Sequence, residues 1–328
     1  MRTYKLDSTY VLNYATAATI NEDKGELRGK LDTVFDDIYC DEKNYELAEQ
    51  KLMKTSIENV LKKSNLRLND LELIVSGDLM NQLMTTYYGL RHISIPVIGI
   101  YSACSSSALG LIIGSNYAVN GKKVLVTTSS HYAAAERQFR YPNEYGLQKK
   151  EVVTTTTSGA GSIILTSKKH PIQIEAYTLG VIQDFNYKDV NDMGGAMSIA
   201  AYDTITTHFK DTNRSFKDYD YVVTGDLGSL GLSVLKALFK ENGYTDSLDN
   251  LVDLGTMIYK GCPECYMGGS GCACSMLMLC GKYLPMIENG KINSLLYVPT
   301  GALHNPIAVF QKQSIPSIAH AIVFRKAV

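Results

Sequence analysis

The chain has 328 residues, a net charge of −1, 45% apolar residues and 20% charged residues. That is long enough for one large domain or two packed halves, and too apolar for a disordered chain. The balanced charge excludes broad nucleic-acid binding, which needs a surplus of Lys and Arg to neutralise phosphates. No nucleic-acid partner is therefore expected.

The opening segment, MRTYKLDSTYVLNY, has no apolar core of the kind a secretory signal needs. No uncharged apolar stretch approaches the roughly 18 residues of a spanning helix. The longest, around Ile95–Ile100 and Ile318–Phe324, have the length of strands. Any membrane association is expected to be peripheral. The seven cysteines are odd in number, and five fall between Cys262 and Cys280. That is no disulfide framework and points to folding in a reducing compartment.

In chain order, a helical pattern over Tyr45–Leu61 leads to the strand-like Asp70-Leu-Glu-Leu-Ile-Val-Ser-Gly-Asp-Leu79. The strand Ile98–Tyr101 then turns through Ser-Ala-Cys104-Ser into a helix over Ala108–Val119. Gly121-Lys122 precedes a strand at Val124–Thr128, and small residues Ser158–Gly161 precede another at Ile163–Leu165. All four features return in the same order. Asp218-Tyr-Asp-Tyr-Val-Val-Thr-Gly-Asp-Leu227 answers the first, and Ala273-Cys274-Ser275 answers Ala103-Cys104-Ser105. Gly290-Lys291 before Leu295–Val298 and Ser317–Ala321 before Ile322–Phe324 complete the set, with helical patterns at Ser229–Phe239 and Ser275–Ile287. The chain is therefore read as a duplication, with halves 1–169 and 170–328 meeting near Lys168–Pro171.

Strands alternating with helices predict right-handed βαβ units and mostly parallel sheets. Ligand sites in such sheets lie beyond the carboxyl ends of the strands. The predicted rim is Gly77–Gln82, Ser102–Ser105, Ser129–His131, Gly225–Gly228 and Gly268–Gly271. Cys104 falls at a helix N-terminus, where dipole and amides lower a thiol pKa, so it suits an acyl-accepting nucleophile. It equally suits a small buried residue.

A duplicated α/β chain with an Ala-Cys-Ser turn in its first half resembles the thiolase superfamily, including the ketosynthase III condensing enzymes. The resemblance implies a layered αβαβα body built from two βαβ halves. In the condensing enzymes a His and an Asn, or two His, from the second half assist the Cys. Here Gly225-Asp226-Leu-Gly228 stands where the His loop is expected, and Gly268-Gly-Ser-Gly271 where the Asn motif is expected. No second-half His or Asn is therefore assigned to Cys104, which is read as a vestigial nucleophile position.

A closer set of motifs resembles the stage V sporulation protein AD (SpoVAD) family. They are Ser76-Gly-Asp-Leu-Met-Asn-Gln82, the run Thr128–Gly146 with His131, Glu136, Arg137 and Arg140, Val223-Thr-Gly-Asp-Leu-Gly228, Gly268-Gly-Ser-Gly-Cys-Ala-Cys274, Thr300-Gly-Ala-Leu303 and Ser314–His320. The likeness spans roughly residues 25 to 325. Leu147–Thr157 departs from it by lacking a Pro-rich, Trp-containing stretch, and His304-Asn305 replaces a more apolar pair. The resemblance implies a non-enzymatic, dipicolinate-binding component of the SpoVA system, peripheral to the inner membrane of the developing spore. Other SpoVA proteins are the implied partners, calcium can accompany the ligand as its chelate, and a homodimer is the assembly common among thiolase-type relatives. No cofactor is implied. The alternative is a Cys-dependent acyltransferase related to ketosynthase III.

Candidate ligand contacts on this reading are Asp78, Gln82, Cys104, Ser105, His131, Arg137, Arg140, Asp226, Ser270 and Gly271. His131, Arg137 and Arg140 would meet the ligand's carboxylates. Asp78 and Asp226 also suit helix capping, and Glu136 with Arg140 suits an exposed i,i+4 pair. Cys262-Pro-Glu-Cys265 has zinc spacing but no clean second pair, so no metal is expected.

Overall fold

The computed structural model of the protein describes residues 1–139 and 150–327. Ten main strands form one continuous sheet: β1 Tyr10–Thr19, β2 Leu73–Gly77, β3 Val97–Ile100, β4 Lys123–Ser130, β5 Gly159–Thr166, β6 Ile172–Thr178, β7 Tyr221–Thr224, β8 Leu251–Asp253, β9 Ser294–Val298 and β10 Ala321–Lys326. Their spatial order is β8-β7-β9-β10-β6-β1-β5-β4-β2-β3. Outward from the junction of β6 and β1, both sides read first, fifth, fourth, second, third. The duplication seen in the motifs is thus a duplication of topology. The junction is short: Tyr10 opposes Gln173 and Val11 opposes Ile172.

The main helices are α1 Tyr45–Lys63, α2 Met84–Leu90, α3 Ser106–Tyr117, α4 Tyr132–Phe139, α5 Met193–Thr212, α6 Gly228–Glu241, α7 Leu254–Ile258 and α8 Cys272–Met278. Three cores divide them into layers. Leu111 and Ile112 of α3 and Met276 and Leu277 of α8 are buried between the halves, with Val126, Ile163, Leu295 and Phe324 from the strands. α1 covers the outside of the first half through Leu52, Met53, Ile57 and Val60. α5 covers the second through Met197, Ala201, Ile205 and Phe209.

The αβαβα layering follows from these apolar faces. In the first half β2, β4 and β5 are buried along nearly their whole length, as expected of strands covered on both sides, while the edge strand β3 is half-buried. α3 and α8 show the other consequence of a central position. They carry small residues, and Gly110 and Gly114 lie where an added Cβ would come within 2.8 and 2.6 Å of Val126.

Candidate functional site

The turn from β3 into α3 is held by serines. Ser106 Oγ donates to the Ala103 carbonyl (2.7 Å) and receives the Ser102 amide (3.0 Å). Ser105 Oγ donates to the Ser102 carbonyl (2.8 Å). Ala103 takes φ 45°, an unusual value for a residue with a side chain, and this sharp elbow presents Cys104. Thr300–Ala302 passes so close that a Cβ on Gly301 would stand 2.5 Å from the Ser102 carbonyl oxygen.

Cys104 opens onto a narrow cleft between the halves, with about 40 Å³ of free volume. Leu79, Tyr101, Phe139, Val190, Met193 and Ala302 form its apolar walls; Cys104, Glu136, Thr156, Ser270, Gly271 and His304 supply the polar groups. Phe139 and His304 meet edge-to-face at 5.9 Å, from corresponding connections of the two repeats. A second hollow, of about 350 Å³, shares Tyr101, Phe139 and His304 and forms the mouth, where Gln82 lies. Among the described residues, no Lys or Arg lines either space.

The electrostatics around Cys104 run against a nucleophile. Its thiol is pushed well above the ordinary range, first by burial and then by the adjacent Asp226 carboxylate, to which it donates a hydrogen bond. The helix N-terminus does not lower it as the sequence pattern predicts. Burial outweighs the partial charge of the dipole, and the nearest full charge is negative. Asp226 is itself buried, which raises its pKa to about 6, while the bonds from Cys104 and Thr300 oppose the rise. Thr300 Oγ1 donates to Asp226 Oδ1 (2.8 Å), and the Gly271 amide to Oδ2 (3.3 Å).

Asp78 and Asp226 occupy matching positions in the repeat but do different work. Asp78 is buried and receives the amides of Met80 and Thr86, each at 2.8 Å, fixing the turn into α2. Asp226 does not fix the turn into α6. Asp253 does so, receiving the amides of Leu227 (2.8 Å) and Gly228 (3.0 Å), and Asp226 turns toward Cys104.

Of the other expected contacts, Ser270 and Gly271 line the cleft, whereas Ser105 is consumed by the elbow. His131 does not face the cleft. Its Nε2 lies 2.7 Å from the Ile38 carbonyl, its ring stacks on Tyr45, and burial lowers its pKa, so it brings no positive charge. Arg137 also points elsewhere, pairing with Glu46 of α1 and lying over the Tyr45 ring. Arg140 falls outside the described residues. Glu136 is not surface decoration: it is buried and lines the cleft. The sequence reading missed His304, a second-half His in the same cleft as Cys104. Its one signal was the local departure His304-Asn305.

Cys272 and Cys274 turn away from the CxxC pair. Cys272 Sγ donates to the Ser129 carbonyl (2.8 Å) and Cys274 Sγ faces that of Gly225 (3.7 Å). Among the described residues, no three His, Cys, Asp or Glu side chains converge as metal ligands.

The model of the stage V sporulation protein AD (SpoVAD) family matches residues 1–325. The chain belongs to the SpoVAD family. It is 41% identical over 320 residues to stage V sporulation protein AD of Bacillus subtilis (strain 168), covering 97% of this chain and 94% of that protein. The fold is thiolase-like. At 12% identity, 3-oxoacyl-[acyl-carrier-protein] synthase III of Aquifex aeolicus VF5 superposes with a TM-score of 0.57, over 97% of this chain and 99% of that one. A variant of OleA from Xanthomonas campestris does so at 0.61 and 11% identity, over 98% and 99%. The chain thus shares the architecture of these condensing enzymes. No helix among its described residues is long and apolar enough to cross a membrane.

Proposed function

We propose that this SpoVAD chain is a non-enzymatic binding component of the SpoVA system, holding dipicolinate in the cleft beside Cys104 while the ligand moves into the developing spore. The observation that carries the non-enzymatic part is the Cys104–Asp226 contact: a buried thiol donating to a carboxylate is held protonated and is a poor acyl acceptor. The ligand itself comes from the family resemblance, and the cleft's chemistry is compatible with it. The flat walls of Tyr101 and Phe139 suit an aromatic ring. Ser270, Thr156 and His304 suit carboxylate oxygens.

Glu136 in the lining, with the buried Asp226 carboxylate behind Cys104, disfavours a bare dianion, so the calcium chelate, whose charges cancel, is the preferred form. The protein acts at the spore inner membrane as a peripheral member, held there by other SpoVA proteins and assembled as a homodimer. Incubation with acyl-CoA followed by intact-mass analysis separates this reading from the acyltransferase one. The binding reading expects an unmodified chain; a thioester that disappears in Cys104→Ala contradicts it.

A further inference from the structure

We propose that Cys262 and Cys265 form a reversible dithiol–disulfide couple, a modification site distinct from Cys104. Of the seven cysteines, Cys40, Cys104, Cys272, Cys274 and Cys280 are buried; Cys262 and Cys265 alone are half-exposed. They bracket a single 3-10 turn at Pro263–Cys265, in which the Cys265 amide donates to the Cys262 carbonyl (3.2 Å). That turn brings the two sulfurs to 2.6 Å, inside ordinary non-bonded contact, without bridging them. Both thiols line two surface hollows, so a small disulfide can reach them.

The chemistry is thiol–disulfide exchange with a low-molecular-weight disulfide. One cysteine, as thiolate, attacks the reagent and forms a mixed disulfide, expelling one reagent thiolate. The other cysteine, as thiolate, attacks the protein sulfur of that mixed disulfide and expels the second. The two protons leave with the two reagent thiols, the cysteines are oxidised and the reagent is reduced.

The couple is wired to the cleft wall through a short stretch of backbone. Tyr266 sits at φ 46°, and the Gly268 amide donates to the Cys265 carbonyl (2.9 Å). The Gly268 carbonyl receives the Thr155 amide (2.8 Å), the Ser270 carbonyl receives that of Thr157 (2.9 Å), and the next residue, Gly271, lines the cleft. Closing the disulfide pins the start of this run and stiffens residues 266–271.

The test is titration of the full chain with oxidised glutathione, read by intact mass, peptide mapping and hydrogen exchange. The expected product loses two hydrogens, maps to a Cys262–Cys265 crosslink, returns on reduction, and shows severalfold slower exchange over 266–271. Cys265→Ser, which lacks the second thiol, should instead retain one glutathione on Cys262. A persistent glutathione adduct on the wild type, a crosslink elsewhere, or no reaction while an added CxxC peptide oxidises overturns the couple. Unchanged exchange in the oxidised protein overturns its link to the cleft.

Discussion

Cys104 and Asp226 meet across the seam between the two repeats, the thiol of the first half donating to a buried carboxylate of the second. In a condensing enzyme a thiol at this elbow has to be a good nucleophile. Here a negative charge stands beside it: the carboxylate makes the thiol harder to ionise, while the thiol makes the carboxyl easier to ionise.

Removing that charge should release the thiol. Asp226→Asn keeps an acceptor for Thr300 while deleting the carboxylate, so Cys104 should become easier to deprotonate. Alkylation by iodoacetamide at pH 8, followed by peptide mapping, should accelerate at Cys104 by about tenfold. An unchanged rate would show that burial alone controls this thiol.

The cleft also ranks its side chains. His304 lines it and Arg137 does not, so His304→Ala should weaken dipicolinate binding by about 1–2 kcal/mol, near tenfold. Arg137→Ala should leave affinity within about twofold, because its contacts with Glu46 and the Tyr45 ring lie away from the cleft. The reverse order, read by equilibrium dialysis on folded variants, would move the site.

Much of this architecture is legible in the sequence because duplication leaves paired signals. Ala103-Cys104-Ser105 leads into α3 and Ala273-Cys274-Ser275 lies in the first turn of α8, so the paired motif marks the start of both central helices, and the shared strand order agrees with it. Side-chain direction is less accessible. Asp78 and Asp226 are equivalent by motif, yet only the backbone path around Asp253 shows that Asp226 is relieved of capping and turned to Cys104. α4 is short, and its consecutive Glu136-Arg137-Gln138 reads as one polar face opposite the alanines, so nothing in the sequence says that Glu136 faces inward and Arg137 outward. His304 sits in a connection, where topology places the backbone but does not aim a ring.

Buried carboxyls should give the protein an unusual pH profile. Burial, then Asp78, raises Glu49 to about 8, and burial raises Asp253 to about 7. Both exceed their ordinary values, so the folded state holds protons that the unfolded chain has released. Stability from these groups is complete below the ordinary carboxyl range and is lost as pH rises through about 7 and 8. Below 6.5, His208 and His320, held down to about 4 largely by burial, act in the opposite direction. Urea midpoints should therefore rise as pH falls from 8.5 to 6.5. Glu49→Gln should flatten that slope and stabilise the protein at pH 8.5 by about 1 kcal/mol. A midpoint that rises with pH across this window contradicts the assignment.

The binding reading rests on dipicolinate entering a cleft that carries Glu136 and, among the described residues, no Lys or Arg. Calorimetric titration of dipicolinate into the full chain, with and without calcium and with pyridine-2-carboxylate as a monoacid control, tests it most directly. The account predicts saturable binding to the wild type, tighter with calcium, weaker for the monoacid and reduced in His304→Ala. No heat of binding under either condition, with the protein shown to be folded, would contradict it.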